Sequence, residues 1–299
     1  MIAAMVDNSS DSDPDEDNDE EIELIRENGQ IVLQGTSGSD LITPLDLQRI
    51  YIETWQESMF QQRINEIRGG AGNDTITADS FGDPDNPGIW LWGQSVDLIS
   101  GGPGDDLITK NTPFMADIYG GDGNDTIIAA NARIYAGAGD DVIVSESYYS
   151  DEEVETQIIR AGSGDDTVIV NNGFADIRGG DGNDTFILNY DRPVMDSNGI
   201  VVNDFPRFGN VIIRDFDPET DLLRINLPAS GSGNVELESI QQRDAGVRIN
   251  LTLTVPPSGD GEDEGGVFRA RIFLHGVTGV DDFDVENTDA ATTVTFGRD

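Results

Sequence analysis

Seven copies of one nonapeptide, Gly-Gly-x-Gly-x-Asp-x-apolar-x, run through this 299-residue chain between residues 35 and 187 and restrict its fold more than any other feature. They begin at Gly35, Gly69, Gly101, Gly120, Ala136, Ala161 and Gly179. Position four is always glycine (Gly38, Gly72, Gly104, Gly123, Gly139, Gly164, Gly182) and position six always aspartate (Asp40, Asp74, Asp106, Asp125, Asp141, Asp166, Asp184). Position eight is a large apolar residue throughout: Ile42, Ile76, Ile108, Ile127, Ile143, Val168 and Phe186. The starts lie 34, 32, 19, 16, 25 and 18 residues apart. A chain that coils with one nonapeptide per half-turn closes a coil in about 18 residues, so copies at that spacing stack on one side.

The opposite half-turns are degenerate. Asn111-Thr112-Pro113-Phe114, Ala129-Ala130-Asn131-Ala132 and Asn171-Asn172-Gly173-Phe174 carry no Asp in the required setting. Two residues before each copy stands a further apolar residue: Leu33, Ile67, Ile99, Ile118, Ile134, Ile159 and Ile177. Each coil therefore offers one inward side chain before the Gly-rich turn and one after it, which predicts a narrow aliphatic core between two faces of period-two strands.

The turn residues suit a hard cation. Glycine permits positive φ and close backbone approach, so carbonyls can converge. Aspartate is short enough to keep its carboxylate within the turn. Calcium takes six to eight oxygen ligands at roughly 2.3–2.6 Å and accepts mixed carbonyl and carboxylate shells, whereas magnesium demands a tight octahedron. One turn cannot supply such a shell, but two turns stacked about 4.8 Å apart can share an ion. The charge balance fits a polyanion that takes up metal: 58 acidic residues stand against 17 basic ones, a formal net charge of −41. Lys110 is the sole lysine. Such a chain repels nucleic-acid phosphate and anionic membranes. No stretch has the length of a transmembrane helix, so neither nucleic acid nor membrane insertion is expected. With no cysteine, disulfides, thiolate zinc sites and cysteine nucleophiles are excluded.

Residues 7–23 are almost all acidic or small polar, and residues 1–30 read as a disordered acidic tail. Alternating Asp11, Asp13, Asp15 and Asp17 do not make an EF-hand, since loop position six is not glycine and position twelve is Ile22. Residues 31–189 form the repeat region. Three stretches leave it as loops: 43–62, with the spacing of a short amphipathic helix; 78–95, with Trp90 and Trp92; and the acidic 145–157. Residues 190–299 change character. Asn210 to Pro228, Val247 to Val255 and Val267 to Val277 alternate apolar and polar residues and read as antiparallel strands that cap the open end of a solenoid.

These repeats resemble those of the RTX (repeats-in-toxin) proteins, the haemolysin-type calcium-binding family. The segments Ile213-Arg214-Asp215-Phe216 with Asp221-Leu222-Leu223, and Phe273-Leu274-His275-Gly276-Val277 with Asp282-Phe283, look like the cap that follows the repeats in that family. The resemblance implies an all-β fold: a right-handed parallel β-roll, or β-solenoid, with a C-terminal antiparallel β cap. It implies calcium ligands at Asp74, Asp106, Asp125, Asp141, Asp166 and Asp184, and at Asp40 in the first copy. It also implies carbonyl ligands from the same turns, such as Gly70, Gly102, Gly121, Gly137, Gly162 and Gly180. Two departures stand out: the copies are not tandem, so only one side of the roll is expected to be loaded, with about four to six ions, and Thr36 and Ser37 interrupt the first turn. The resemblance further implies export to the extracellular space by a type I secretion apparatus. Residues 1–6 do not form an N-terminal signal, so the address is expected in the uncleaved C-terminal region.

No enzyme is expected. His-Glu-x-x-His and Gly-x-Ser-x-Gly are absent, and the sole histidine, His275, sits in an apolar run. The primary expectation is a secreted calcium-binding protein with a structural or adhesive role. The alternatives are a carbohydrate-binding or carbohydrate-modifying solenoid that engages polysaccharide or a cell surface, and the non-catalytic secretion and folding module of a larger enzyme.

Overall fold

The computed structural model describes residues 22–43, 64–78, 82–83, 86–90, 96–112, 114–146, 156–171, 174–190, 210–228, 234–255, 266–279, 283–287 and 291–297. Among them every regular element is a β-strand, and no helix is long and apolar enough to cross a membrane. The predicted helix within 43–62 and the residues Trp92, Tyr148 and Tyr149 lie outside the described residues. The chain forms two compact units, Met1–Ala138 and Gly139–Asp299.

In the first unit two parallel sheets are built by the same coil repeated. One sheet stacks Gln30–Gln34, Glu66–Arg68, Leu98–Pro103, Ala116–Asp122 and Ala132–Ala138, with Leu33, Ile67, Ile99, Ile118 and Ile134 in direct register. The other stacks Leu41–Ile42, Thr75–Thr77, Leu107–Lys110 and Thr126–Ala130, with Ile42, Ile76, Ile108 and Ile127 in register. All nine of these side chains are fully buried. Copies 34 and 32 residues apart stack as directly as those 19 apart, so the insertions leave the roll and return without disturbing its phase.

The second unit repeats the pattern. Ile159, Ile177 and Ile213 align in one parallel sheet, and Ile143, Val168, Phe186 and Leu223 in the other. All seven are fully buried. The roll therefore does not stop at residue 189: Val211–Ile213 and Leu222–Pro228 add one further parallel coil, whose sequence has lost the nonapeptide but kept its inward apolar residues. Beyond it the chain turns antiparallel. Gly266–His275, Gly246–Val255 and Asn234–Arg243 form a meander on one sheet. Ala291–Gly297 and Phe283–Asn287 close the other. Four rings plug the end: Phe186 meets Phe216 at 5.9 Å, Phe216 meets Phe296 at 5.5 Å, and Phe296 stacks on Phe283 at 4.0 Å.

The expected disordered tail over 1–30 is corrected at its end. Ile22 is buried, and Glu23–Glu27 pairs antiparallel with Gln30–Gln34. The connection is Asn28-Gly29, both at positive φ (51° and 84°), as a two-residue hairpin turn requires. Glu23, Arg26 and Glu27 place charge along this first strand, which discourages edge-to-edge association. Glu27 also pairs with Arg68 at 3.3 Å.

Candidate metal centre

In the five copies from Gly101 onward the preceding strand ends at position three, in the first two it ends just before position one, and in all seven the next strand begins at position seven. Within the turn of the Gly101 copy, Gly102 and Gly104 adopt φ of 124° and 140°, a region closed to L side chains at low cost. A methyl on Gly102 would strike the Gly70 carbonyl oxygen of the preceding coil. The carbonyls of Gly70, Gly102, Gly121 and Gly162 all face the position-two glycine of the next coil in this way.

The position-six aspartates form a ladder. The amide of Asp40 donates to Asp74 Oδ1 (2.8 Å), that of Asp74 to Asp106 Oδ1 (2.7 Å) and that of Asp106 to Asp125 Oδ1 (2.9 Å). In the second unit Asp141 donates to Asp166 (2.9 Å), Asp166 to Asp184 (3.1 Å) and Asp184 to Asp221 (3.0 Å). Position five carries a second ladder that runs the other way. The amide of Asp105 donates to Asn73 Oδ1 (2.9 Å), Asn124 to Asp105 (2.8 Å), Asp165 to Asp140 (2.7 Å) and Asn183 to Asp165 (2.8 Å). Sequence reasoning left position five free. Its occupants are nevertheless always Ser, Asn or Asp, small side chains that can accept from the next coil.

One oxygen in each of three interior carboxylates has no such use. The Oδ2 atoms of Asp74, Asp106 and Asp166 are buried and accept no hydrogen bond. Each of these residues is at most 2% exposed. Burial is the main reason the Asp74, Asp125, Asp166 and Asp184 carboxyls are pushed up to about 7, with neighbouring Asp charges adding to the rise and the backbone bonds opposing it. Asp106 is raised for the same leading reason. Asp74 Oδ2 and the Gly101 carbonyl both crowd the space a methyl on Gly69 would fill, and Asp106 Oδ2 and the Gly120 carbonyl do the same at Gly101. The carbonyls facing these carboxylates are thus those of position one in the next coil. Among the described residues no three carboxylate or imidazole side chains converge on one point. A cation here would be held by one carboxylate per turn together with backbone oxygens.

Asp40 in the first unit and Asp221 in the second differ from the rungs beside them. Asp40 Oδ2 accepts from the Thr36 amide (2.6 Å) and the Thr36 hydroxyl (3.1 Å). Asp221 Oδ2 accepts from the Asp217 amide (2.8 Å). Asp215 Oδ1 accepts from the Gly179 amide (3.1 Å). Protein groups occupy the terminal carboxylates where Asp74, Asp106 and Asp166 present a bare oxygen. Asp221 is an eighth aspartate that the nonapeptide did not mark, since the 37 residues separating it from Asp184 hide the alignment.

A family model described as RTX calcium-binding nonapeptide repeat (4 copies) matches residues 62–83, 93–109, 117–133, 131–147 and 160–189. The chain carries RTX calcium-binding nonapeptide repeats. The matched segments begin after the first copy, the one whose carboxylate Thr36 already satisfies. No curated protein matches the chain. The RTX turns fit the ion their family binds: bare buried carboxylate oxygens, raised carboxyls and converging carbonyls form a hard-oxygen environment that lacks positive charge of its own.

His275 is exposed at the end of Gly266–His275, edge-on to Phe273 at 6.1 Å.

Proposed function

We propose that this RTX protein is secreted and folds where calcium is abundant, with Asp74, Asp106, Asp125, Asp141, Asp166 and Asp184 as its anionic ligands. Carbonyls of the same turns complete the shells, and position one joins the position-two set of Gly70, Gly102, Gly121, Gly137, Gly162 and Gly180. Asp40 acts as the end cap of the ladder rather than as a full ligand. The ion supplies positive charge between stacked carboxylates. The residues supply the rest: they hold the turns in register, exclude water from the carboxylates and offer the oxygens. The observation that carries this reading is the bare buried Oδ2 at Asp74, Asp106 and Asp166, which stacking leaves costly unless a cation is present.

Cytosolic calcium lies far below the roughly 10⁻⁴–10⁻³ M at which extracellular calcium modules bind. The chain then stays open inside the cell and folds after passage through a type I apparatus, where binding free energy becomes folding free energy. The role outside is structural or adhesive, and the reading assigns no reaction to the chain. Circular dichroism during a calcium titration tests it. The spectrum passes from coil to β at millimolar calcium, magnesium does not substitute, and calorimetry returns about four to six ions. An unchanged β spectrum in excess chelator would sink the proposal.

A second reading, polysaccharide binding, has one observation in its favour. Tyr119 and Tyr135 stack at 5.0 Å on the outer face of a sheet, with Tyr119 40% exposed beside a shallow recess lined by Gln34, Glu66, Arg68 and Ser100. A glycan array with Tyr119→Ala as control separates the two.

A further inference from the structure

Lys110, the only lysine, is 2% exposed. It stands at position ten of the copy that starts at Gly101, one residue past an outward Thr109, so its side chain enters the core. Its neighbours in the stack are small. Ala129 is its register partner, and Ala78 follows Thr77, the partner of Thr109; both alanines are buried. The lysine stem fills the room they leave and carries the ammonium to the turn opposite the aspartate ladder. There Nζ donates to four backbone carbonyls: Phe114 O at 2.6 Å, Ala130 O at 2.7 Å, Thr112 O at 3.2 Å and Asn131 O at 3.4 Å. Two belong to the lysine's own turn and two to the turn of the next coil. Asn131 sits at φ 47°, a left-handed conformation that asparagine tolerates. An ammonium has three protons, so one is shared among the four oxygens.

This arrangement parallels a metal bridging two stacked Gly-rich turns, but the charge is tethered to the chain. The oxygens are neutral carbonyls, and three of the four lie beyond the 2.3–2.6 Å range of calcium ligands. We propose that the carbonyls of Thr112, Phe114, Ala130 and Asn131 form a monovalent-cation site which the chain fills with the Lys110 ammonium, and which takes a free primary ammonium ion when that side chain is cut away.

Two measurements test this, both in saturating calcium. In the first, the wild-type protein is exposed to an amine-acylating reagent and modification at Lys110 is followed by peptide mass spectrometry. A caged ammonium reacts at least about a hundredfold more slowly in the folded than in the urea-unfolded chain, because reaction needs local opening. Equal rates would overturn the proposal. In the second, thermal unfolding compares wild type with Lys110→Met and Lys110→Ala. Methionine keeps the stem but gives the carbonyls no donor, so its midpoint falls by several degrees; a midpoint equal to wild type would also overturn the proposal. Lys110→Ala falls further and recovers part of the loss in ammonium or methylammonium chloride, but not in tetramethylammonium chloride at the same ionic strength. Equal recovery in all three salts would reduce the effect to screening and refute a site. Should neither variant fold, the acylation rate of the wild type still decides.

Discussion

The Gly-rich turns and the turns opposite them face one demand. Each must stack on its neighbour about 4.8 Å away and satisfy polar groups buried at the bend. The Gly-rich side stacks carboxylates, one per coil, and leaves the Oδ2 atoms of Asp74, Asp106 and Asp166 bare. The opposite side uses groups that complete one another within the chain. In the first unit it buries the Lys110 ammonium among carbonyls. In the second it builds an amide ladder, Asn226 to Asn189 at 2.7 Å and Asn189 to Asn171 at 2.8 Å, ending on Glu146 at 2.7 Å. An amide carries both donor and acceptor, so such a ladder closes on itself. A carboxylate carries only acceptors, so a ladder of them is half satisfied and repels itself. The contrast teaches where calcium dependence resides: in one turn of each coil and not in the hydrophobic stack, which is continuous beneath both.

The largest effect expected to separate the two sides is a reversal of sign. Asp166→Asn keeps an oxygen for the Asp141 amide but removes a buried charge. In excess calcium the variant loses a ligand; its calcium midpoint rises by at least about tenfold, the weight of one charged group worth 1.4 kcal/mol or more. In chelator the same change relieves desolvation and repulsion, so residual structure increases. Circular dichroism under both conditions checks this. Asp40→Asn, whose carboxylate already accepts from Thr36, moves the calcium midpoint much less. Destabilisation of equal size by Asp166→Asn with and without calcium would break the comparison.

A second test concerns the backbone that brings the carboxylates together. Gly102→Ala imposes a side chain at φ 124° and drives it into the Gly70 carbonyl. The expected cost is about 3 kcal/mol or more, from backbone strain plus the clash. Chemical denaturation in saturating calcium measures it, and a loss below about 1 kcal/mol would mean the turn can open without penalty.

The third expectation is a pH dependence of opposite direction with and without metal. Burial raises the Asp74, Asp125, Asp166 and Asp184 carboxyls to about 7, above their ordinary value near 4. Between those values the metal-free fold binds more protons than the unfolded chain, so its stability falls as pH rises through that window and is greatest below it. Calcium needs the deprotonated carboxylates, so its affinity climbs over the same window and levels off above about pH 7. Titrations at pH 5.5 and 8 in chelator and in calcium should diverge in these directions; a calcium midpoint independent of pH would contradict the burial argument.

Much of this was legible before any coordinates. The inward pairs, such as Ile118 with Ile127, follow from parity about a fixed turn, and every one is buried. The Asp at position six was evident from its invariance across copies. What escaped was set by neighbours in space. Asp221 lies outside the nonapeptide and joins the ladder only because Leu222 aligns with Thr185. Position five bonds to the adjacent coil, so its role depends on stacking direction. The hairpin at Glu23–Gln34 was masked by the acidic run before it, although Asn28-Gly29 between apolar stretches is a turn signal in its own right. Lys110 carried a signal too: a lone lysine at an inward position where aligned copies place Ala78 and Ala129.

The smallest effect sharpens the comparison from the other side. Asn189 donates to Asn171 and accepts from Asn226, at the turn that needs no metal in this reading. Asn189→Ala removes two bonds and leaves one donor and one acceptor to find water at a half-buried site. The net loss expected is about 1–2 kcal/mol, the ordinary worth of neutral hydrogen bonds after exchange with solvent. The informative quantity is the calcium midpoint rather than the loss itself. Because Asn189 and its two partners are neutral amides, the substitution should lower the unfolding midpoint in saturating calcium yet leave the number of ions bound unchanged in calorimetry. Loss of an ion on removing Asn189 would mean that the two turns of a coil are energetically one unit, and that a cation on one side cannot be held unless the other is closed.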